Sequence, residues 1–174
     1  MSALFGSPLP IRPGKGYAVD ITPPPVSLRG AINLSDAKVA VTPYNGRLRL
    51  SGTMEFAGLD EVVNDARVRA IAAAPTAYFP DYVAPSPIPV AGGGMRPMTP
   101  DGLPIIGTLP GTDNAYVSSG HGMLGLTLAP GTAHALAARI LGGALPPRLL
   151  PFGPGRFVRQ AKRMPALTPS GVHR

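Results

Sequence analysis

The stretch Tyr116-Val-Ser-Ser-Gly-His-Gly-Met-Leu-Gly-Leu-Thr-Leu-Ala-Pro130 joins a short apolar run, a glycine-rich turn and the start of a helical pattern. A strand is predicted over Ala115–Ser119. A helix is predicted over Pro130–Leu141, because proline is favoured in a first helical turn and Gly142-Gly143 follows the last periodic residue. Its predicted buried stripe is Ala133, Leu136, Ala137, Ile140 and Leu141. Between the two, Gly120–Gly125 has the G-x-G-x-x-G spacing of dinucleotide-binding turns. The stretch thus predicts a strand–loop–helix unit.

Three interpretations of this glycine loop are open from the residues alone. An ADP-binding turn would need a second parallel strand after the helix and an acidic residue about 20 positions further on. No Asp or Glu follows Asp113. The loop is otherwise a tight turn without a ligand, or a place where backbone amides and a helix N-terminus meet an anionic or electron-rich oxygen.

The residues before this unit predict a β-rich domain with few helices. Alternating apolar residues predict strands at Tyr17–Ile21, Val26–Leu34 and Lys38–Thr42, and Asn45-Gly46 predicts a hairpin over 38–54. Helical spacing predicts one amphipathic helix over Leu59–Ala74, ended by Pro75. Its predicted first turn contains Asp60 and Glu61, and its predicted buried face is Leu59, Val62, Val63, Ala66, Ala70 and Ala73. Together these elements predict an α+β fold with a mixed or antiparallel sheet.

Composition narrows the function classes. The net charge is +7, but the densest basic stretch is the C-terminal tail, which contains Arg156, Arg159, Lys162, Arg163 and Arg174. We interpret it as a solvated tail, because no aromatic residues alternate with the basic ones as a nucleic-acid surface requires. The absence of cysteine excludes thiolate chemistry and disulfides.

Metal binding and membrane insertion are not expected either. His121 and His134 are far from carboxylates in the sequence, and His173 lies in the tail, so no metal site is predicted. No apolar run reaches the roughly 20 residues of a membrane span, and no signal peptide is evident. A cytoplasmic location is therefore expected, with peripheral association to the inner membrane as an open alternative.

Four stretches, in this order and spacing, carry a family resemblance: Pro13-Gly-Lys-Gly-Tyr17, Leu50-Ser-Gly-Thr-Met-Glu55, Gly94-Met-Arg-Pro-Met-Thr-Pro-Asp-Gly-Leu-Pro-Ile-Ile-Gly107 and Tyr116–Pro130. Together they resemble the C-terminal half of the FAD-dependent D-amino acid oxidase/dehydrogenase family, which includes glycine oxidase and sarcosine oxidase. The resemblance covers roughly residues 8–157 and is greatest to the bacterial D-amino acid dehydrogenase type.

The resemblance implies roles for particular residues. Arg96 would bind the substrate carboxylate, for which a guanidinium is well suited because it donates two parallel hydrogen bonds. Met54 would line the substrate side-chain pocket, although core packing explains it almost as well. The loop residues would contact the flavin ring: Gly120, His121, Gly122, Met123, Leu124 and Gly125. No side chain is assigned a catalytic role, because hydride transfer from Cα to the flavin needs no essential histidine base.

The resemblance also implies an organisation and a function. Residues 8–107 would form a substrate-binding domain, residues 108–145 the C-terminal strand–loop–helix of the FAD-binding domain, and residues 146–174 a basic proline-rich tail. The cofactor would be FAD and the substrate a D-amino acid or cyclic imino acid. The N-terminal dinucleotide-binding half is expected to be absent from this chain, so neither FAD binding nor turnover is expected of the chain alone.

Several alternatives are open at this point. The chain would be a truncated reading frame, an experimental fragment, or one subunit of a two-chain enzyme whose partner is the missing FAD-binding half. A non-catalytic β-rich interaction domain is the second functional hypothesis. A basic nucleic-acid binder is the third, and it requires a salt dependence that truncation after Phe157 removes.

Overall fold

The Asn45-Gly46 turn joins two antiparallel strands, β3 (Val39–Tyr44) and β4 (Arg47–Glu55), in the computed structural model, which describes residues 6–88 and 90–157. Both turn residues have positive φ, 46° at Asn45 and 74° at Gly46. A two-residue turn of this kind matches the twist of the strands that it connects. The hairpin predicted over 38–54 is confirmed.

Five strands form one sheet in the order β2-β3-β4-β1-β5, where β1 is Arg12–Ile21, β2 is Ile32–Leu34 and β5 is Val90–Met98. Strand β1 is longer than the predicted strand 17–21, and β5 was predicted as a turn-rich connection because it contains Gly92-Gly-Gly. Pairing with β1 supplies the hydrogen bonds that keep this glycine run extended. The predicted α+β fold is correct, since the sheet has few helices beside it.

The core of this first unit, which comprises Arg12–Arg96, lies on one face of the sheet. Burial alternates in β3, in the first half of β4 and in the second half of β1, as the two-residue period of a strand requires. The buried cluster is Tyr17, Val19, Ile21, Leu34, Val39, Val41, Leu48, Leu50, Val68, Ile71 and Tyr82.

Helix α1 (Asp65–Ala73) begins later than predicted and buries a different face. The side chain of Asn64 accepts hydrogen bonds from the amides of Ala66 and Arg67 and so fixes the helix start. Leu59 and Val62, predicted to be buried helix residues, are 83% and 71% exposed. The buried residues of α1 are Val68, Ile71 and Ala72. The apolar spacing was misleading because Asp60 accepts a hydrogen bond from the Val62 amide and closes a non-helical turn.

The second unit contains the described residues up to Ile11 and those from Pro97 onward. Strands β6 (Ile105–Thr108) and β7 (Tyr116–Ser119) pair antiparallel and pack against helix α2 (Gly125–Ile140). The predicted boundary at 107/108 falls inside β6, which pairs with β7 rather than with the five-stranded sheet. None of the helices in the described part of the chain has the length and apolar character needed to cross a membrane.

Helix α2 differs from its prediction in start and in buried face. It begins at Gly125, and Pro130 lies inside it. A short 3-10 turn, Gly122–Leu124, leads directly into it, so the helix continues a turn that is already formed. The buried residues are Thr132 and Ala135, whereas Ile140 and Leu141 of the predicted stripe are 53% and 86% exposed. The predicted end is correct, because Gly142 has a φ of 90° and its amide bonds to Arg139.

The described part of the predicted tail, which ends at Phe157, is folded against the rest of its unit and not solvated throughout. Residues Pro147–Phe152 form a 3-10 helix. The Arg156 side chain is 16% exposed and pairs with Asp101 at 2.8 Å, while it also donates to the carbonyls of Leu103 and Phe152. The other tail cations named above, and His173, lie outside the described residues.

Candidate functional site

Arg96 lies near the end of β5, the edge strand that neighbours β1. Its side chain is half-buried, and its Nη1 atom is fully buried without a hydrogen-bond partner. A buried guanidinium nitrogen normally has an acceptor, because losing water without replacement is costly. The predicted carboxylate-binding residue therefore holds a donor that lacks an acceptor.

Met54 lies at a bulge in β4. The register shifts between Lys15↔Glu55 and Tyr17↔Gly52, so β4 contains one residue more than β1 over this interval. Thr53 has a φ of 65°, which is unusual for a β-branched residue. The bulge ends regular alternation just before Met54, and the Met54 side chain is half-buried. The Met54 and Arg96 strands lie on the two sides of β1.

Lys15 is a site-adjacent residue that the sequence did not single out. Its side chain is 2% exposed, and its Nζ donates to the carbonyl of Val62 at 2.7 Å. The carboxylates of Glu55 and Asp60 lie 3.4 and 3.6 Å from the same nitrogen. This cluster ties the exposed segment after Met54 to β1. A lysine flanked by glycines at 14 and 16 was the available signal, because such a residue is unusual in a buried strand.

The groups of this cluster stabilise one another in their charged forms. The Tyr17 hydroxyl donates to Glu55, and this hydrogen bond, with Lys15 and Arg67 nearby, holds the pKa of the Glu55 carboxyl below its ordinary value despite burial. Burial acts to lower the pKa of Lys15, but the Tyr17 contact and the carboxylates of Asp60 and Glu55 outweigh it and raise that pKa. Both groups are therefore charged at neutral pH.

The glycine loop uses its glycines for different purposes. Gly120 and Gly122 have φ values of 75° and 54°, a region that favours glycine. A Cβ on Gly120 would also lie 2.5 Å from Thr99 Cγ2, so the loop packs directly on Thr99, three residues after Arg96. The Leu124 amide donates to the His121 carbonyl at 2.9 Å and closes the turn before α2.

The N-terminus of α2 is free of side-chain acceptors. Its N-cap, Leu124, makes no side-chain cap hydrogen bond, and its first turn contains no acidic residue. The first amides of a helix have no partner within the helix and carry a partial positive charge. Met123, Leu124 and Leu126 beside them are 74%, 56% and 93% exposed. This end of the helix can therefore donate to an electron-rich oxygen or nitrogen on a flat apolar ligand.

His121 is the other polar residue of the loop. Its Nε2 atom is buried without a partner, and burial lowers the pKa of the imidazole from its ordinary value. The ring is accordingly neutral at pH 7. It lines an open groove of about 430 Å³ along α2, together with Ser118, Gly125, Ala129, Thr132, Ala133, Leu136, Ala137 and Ile140.

The predicted site residues fall into two groups. Arg96 and Met54 belong to the unit formed by Arg12–Arg96, and the glycine loop belongs to the unit that continues from Pro97. In the first unit Met54 on β4 and Arg96 on β5 lie on strands that β1 separates, and in the second unit the loop residues lie together in the β7–α2 connection.

Comparison with known proteins gives a consistent result. The sequence model of the DAO family, described as FAD dependent oxidoreductase, matches residues 1–139. A D-amino acid dehydrogenase of Xanthobacter autotrophicus is 37% identical over 155 residues, which cover 83% of this chain and 34% of the relative. A D-amino-acid oxidase of Bradyrhizobium diazoefficiens is 37% identical over 163 residues, covering 91% of this chain and 38% of the relative.

A solved structure agrees with the sequence relatives. The crystal structure of glycine oxidase from Geobacillus kaustophilus matches 87% of this chain and 41% of its own, with a TM-score of 0.75 and 26% identity. The chain spans about a third of the length of the curated relatives that it matches.

Proposed function

This chain belongs to the DAO family of FAD-dependent oxidoreductases, and from that premise we propose that it contributes the substrate-binding residues and the flavin-ring contacts of an enzyme that oxidises D-amino acids or cyclic imino acids. The relatives named D-amino acid dehydrogenase and D-amino-acid oxidase support this substrate class. The observation that carries the proposal is the buried, unpartnered Nη1 of Arg96.

In the proposed reaction Arg96 binds the substrate carboxylate. A carboxylate would accept hydrogen bonds from the guanidinium and neutralise a half-buried charge at the same time. Binding through a planar fork fixes two atoms of the substrate and thereby orients its Cα–N bond. Met54, at the end of the β4 bulge, would contact the substrate side chain and limit its size.

The loop from Gly120 to Gly125 would hold the flavin ring. The glycine positions, the uncapped start of α2 and the unpartnered Nε2 of His121 fit a flat ligand whose edge carries electron-rich oxygens and nitrogens. FAD, when bound, supplies the two-electron acceptor that turns the substrate amine into an imine. The amides at the start of α2 would stabilise negative charge that develops next to them.

The proposal for this chain is limited to these residues. The glycine loop lies between β7 and α2, and no acidic residue follows Asp113 to hold a ribose, so we assign it to the flavin ring rather than to ADP. We therefore expect the purified 174-residue chain to contain no stoichiometric flavin. A yellow protein with about one flavin per chain would contradict this part of the proposal.

The carboxylate assignment is tested by ligand-dependent thermal stability. We expect D-proline to raise the Tm of the protein, whereas pyrrolidine, which is the same ring without the carboxylate, has no effect. Arg96→Ala should abolish the rise in Tm. Arg96→Lys should reduce it, because an ammonium lacks the two parallel donors of the planar guanidinium. Arg29→Ala, at an exposed arginine of the same unit, is the matched control.

The same experiment separates the alternative of a non-catalytic interaction domain. If D-proline and a panel of other D-amino acids leave the Tm of the wild-type protein unchanged, or protect Arg96→Ala equally, Arg96 does not bind a carboxylate and the proposed function is wrong.

A further inference from the structure

The guanidinium of Arg96 lies directly over Gly16 of β1. A Cβ atom built on Gly16 would be 1.3 Å from Nη1, 2.2 Å from Cζ and 2.4 Å from Nη2 of Arg96. Ordinary van der Waals contacts of a Cβ begin at 3.4 Å. Three atoms of the guanidinium, which is the far end of the flexible Arg96 side chain, therefore occupy the volume that a side chain at residue 16 would fill.

Glycine is not needed at residue 16 for its backbone conformation. The φ of Gly16 lies outside the left-handed region that Gly120 and Gly122 adopt. A glycine inside a strand weakens the strand, because it has no side chain to pack and loses more conformational entropy on folding. The feature that explains glycine here is the close approach of the Arg96 head.

Strand β1 is held on both sides of Gly16. Lys15 is tied to the Val62 carbonyl at 2.7 Å, and Tyr17 is 1% exposed with its hydroxyl bonded to Glu55. Close-packed interiors resist displacement of a strand that is anchored in this way. A side chain added at residue 16 would therefore displace the Arg96 head and not β1.

We propose that Gly16 is a positioning residue that sets the place of the Arg96 guanidinium and thereby makes the site selective for substrates with a carboxylate. The proposal rests on the proposed function of Arg96. The bare Cα of Gly16 is the surface on which the guanidinium lies, and a displaced fork no longer presents two parallel donors to one carboxylate. Gly16 acts through Arg96 and makes no contact with the substrate itself.

The test compares the effect of D-proline on the Tm of Gly16→Ala and of Gly93→Ala in the 174-residue chain. Gly93 lies on the neighbouring strand β5, and a Cβ there would be 3.5 Å from the Lys15 side chain, an ordinary contact. We expect Gly16→Ala to weaken D-proline binding by about tenfold or more, measured as a loss of the rise in Tm that D-proline gives the wild type. Pyrrolidine should leave the Tm of both variants unchanged, and Gly93→Ala should respond to D-proline as the wild type does.

A double-mutant cycle distinguishes positioning from a general structural defect. In the wild-type background Arg96→Lys should weaken D-proline binding. In the Gly16→Ala background the same substitution should weaken binding little or restore part of the affinity, because the slender lysine chain fits beside a methyl group. Additive effects of the two substitutions would overturn the proposal.

A folding failure is also informative. If Gly16→Ala is insoluble, the double variant Gly16→Ala/Arg96→Ala removes the clash and should be soluble. An equally insoluble double variant would show that Arg96 is not what fills this space and would overturn the proposal.

The outcomes separate the two claims. If wild-type protein does not respond to D-proline, the proposed function fails and this inference fails with it. If wild-type protein and Gly16→Ala respond equally to D-proline, the inference fails while the carboxylate role of Arg96 stands.

Discussion

At the residue scale, two buried side-chain nitrogens in the described part of the chain have no hydrogen-bond partner: Nη1 of Arg96 and Nε2 of His121. Lys15 provides the contrast, because it is more deeply buried and has a carbonyl and two carboxylates around its ammonium. A cation whose donors are satisfied within the protein stabilises the fold, whereas a buried donor without an acceptor is available to a ligand. This difference, and not burial alone, separates the structural lysine from the proposed substrate-binding arginine.

Tyr82 is a buried residue whose hydroxyl is hydrogen-bonded within the fold. It is 2% exposed, its hydroxyl donates to the Ala72 carbonyl at 2.6 Å, and burial raises its pKa to about 12. Tyr82→Phe should lower the free energy of unfolding by about 1 kcal/mol, since the buried carbonyl at the end of α1 loses this donor. Urea denaturation measures the loss. Tyr78→Phe, at a residue 41% exposed, is the control, and an equal effect in both variants would refute the assignment.

His121 should titrate below its ordinary pKa of 6.5, because burial disfavours the charged imidazole. The folded state thus takes up the proton at lower pH than the unfolded state, so stability falls as pH decreases below 6.5 and is unaffected by this residue well above that value. NMR titration of the imidazole measures the pKa directly. His121→Gln should remove this part of the pH dependence, and a midpoint at or above 6.5 would contradict the burial argument.

At the element scale, the start of α1 depends on one side chain. Asn64 Oδ1 accepts from the amides of Ala66 and Arg67 at 3.0 and 3.2 Å. Asn64→Ala should lower stability by about 1 kcal/mol, whereas Asn64→Asp should retain it, because aspartate caps a helix equally well. Thermal or urea unfolding of the two variants tests this, and a loss of the same size in Asn64→Asp would show that capping is not the cause.

Arg156, in the described part of the segment after α2, contacts the turn that follows Arg96. Arg156 contacts both carboxylate oxygens of Asp101, at 2.8 and 3.2 Å, and the Leu103 carbonyl at 2.9 Å. Thr99, in the same turn, donates a hydrogen bond to the Leu103 carbonyl and contacts Gly120. The Arg156 contacts with this turn therefore also support the start of the glycine loop.

A double-mutant cycle with Arg156→Gln and Asp101→Asn should give a coupling free energy of about 1 kcal/mol, because the pair is charged and bonded in two places. Arg156→Gln alone should cost more than Asp101→Asn, since it also removes the carbonyl contacts. A coupling free energy near zero would indicate that the pair is a solvated surface contact.

At the scale of the whole molecule, each unit contains a carboxylate held by arginine. The hydrogen bond from Arg49 lowers the pKa of Asp20 in the first unit, and the hydrogen bond from Arg156 lowers the pKa of Asp101 in the second, in both cases against the opposing effect of burial. The ordinary pKa of both is 3.8. Their contributions to stability are therefore complete above about pH 5 and are lost as pH falls through 3.8 toward the lower folded-state values.

Stability measured by urea denaturation should accordingly decline below about pH 4. Asp20→Asn and Asp101→Asn should each flatten part of this decline and should be less stable than wild type at neutral pH. An unchanged pH profile in both variants would show that other groups govern acid unfolding. Both variants leave the proposed ligand contacts of Arg96 in place.

Local chemistry in the sequence determined several parts of this protein by itself. The Asn45-Gly46 hairpin follows from two residues that accept positive φ, and the end of α2 follows from Gly142. Motif order identified the family, which the match over residues 1–139 confirms. The hairpin and the helix end depend on residues adjacent in the chain, where turn and capping preferences are strong, and the family depends on the order of short motifs, which the sequence contains in full.

Only the tertiary structure decided the features that depend on distant residues. Pairing with β1 makes a strand of Gly92-Gly-Gly, a sequence that on its own favours turns. The observed starts of α1 at Asp65 and of α2 at Gly125 differ from the predicted starts. The Asn64 cap determines the first, and the 3-10 turn before Gly125 determines the second. The approach of Arg96 to Gly16 joins residues far apart in sequence, and no local propensity encodes which side chain will occupy the space above a glycine.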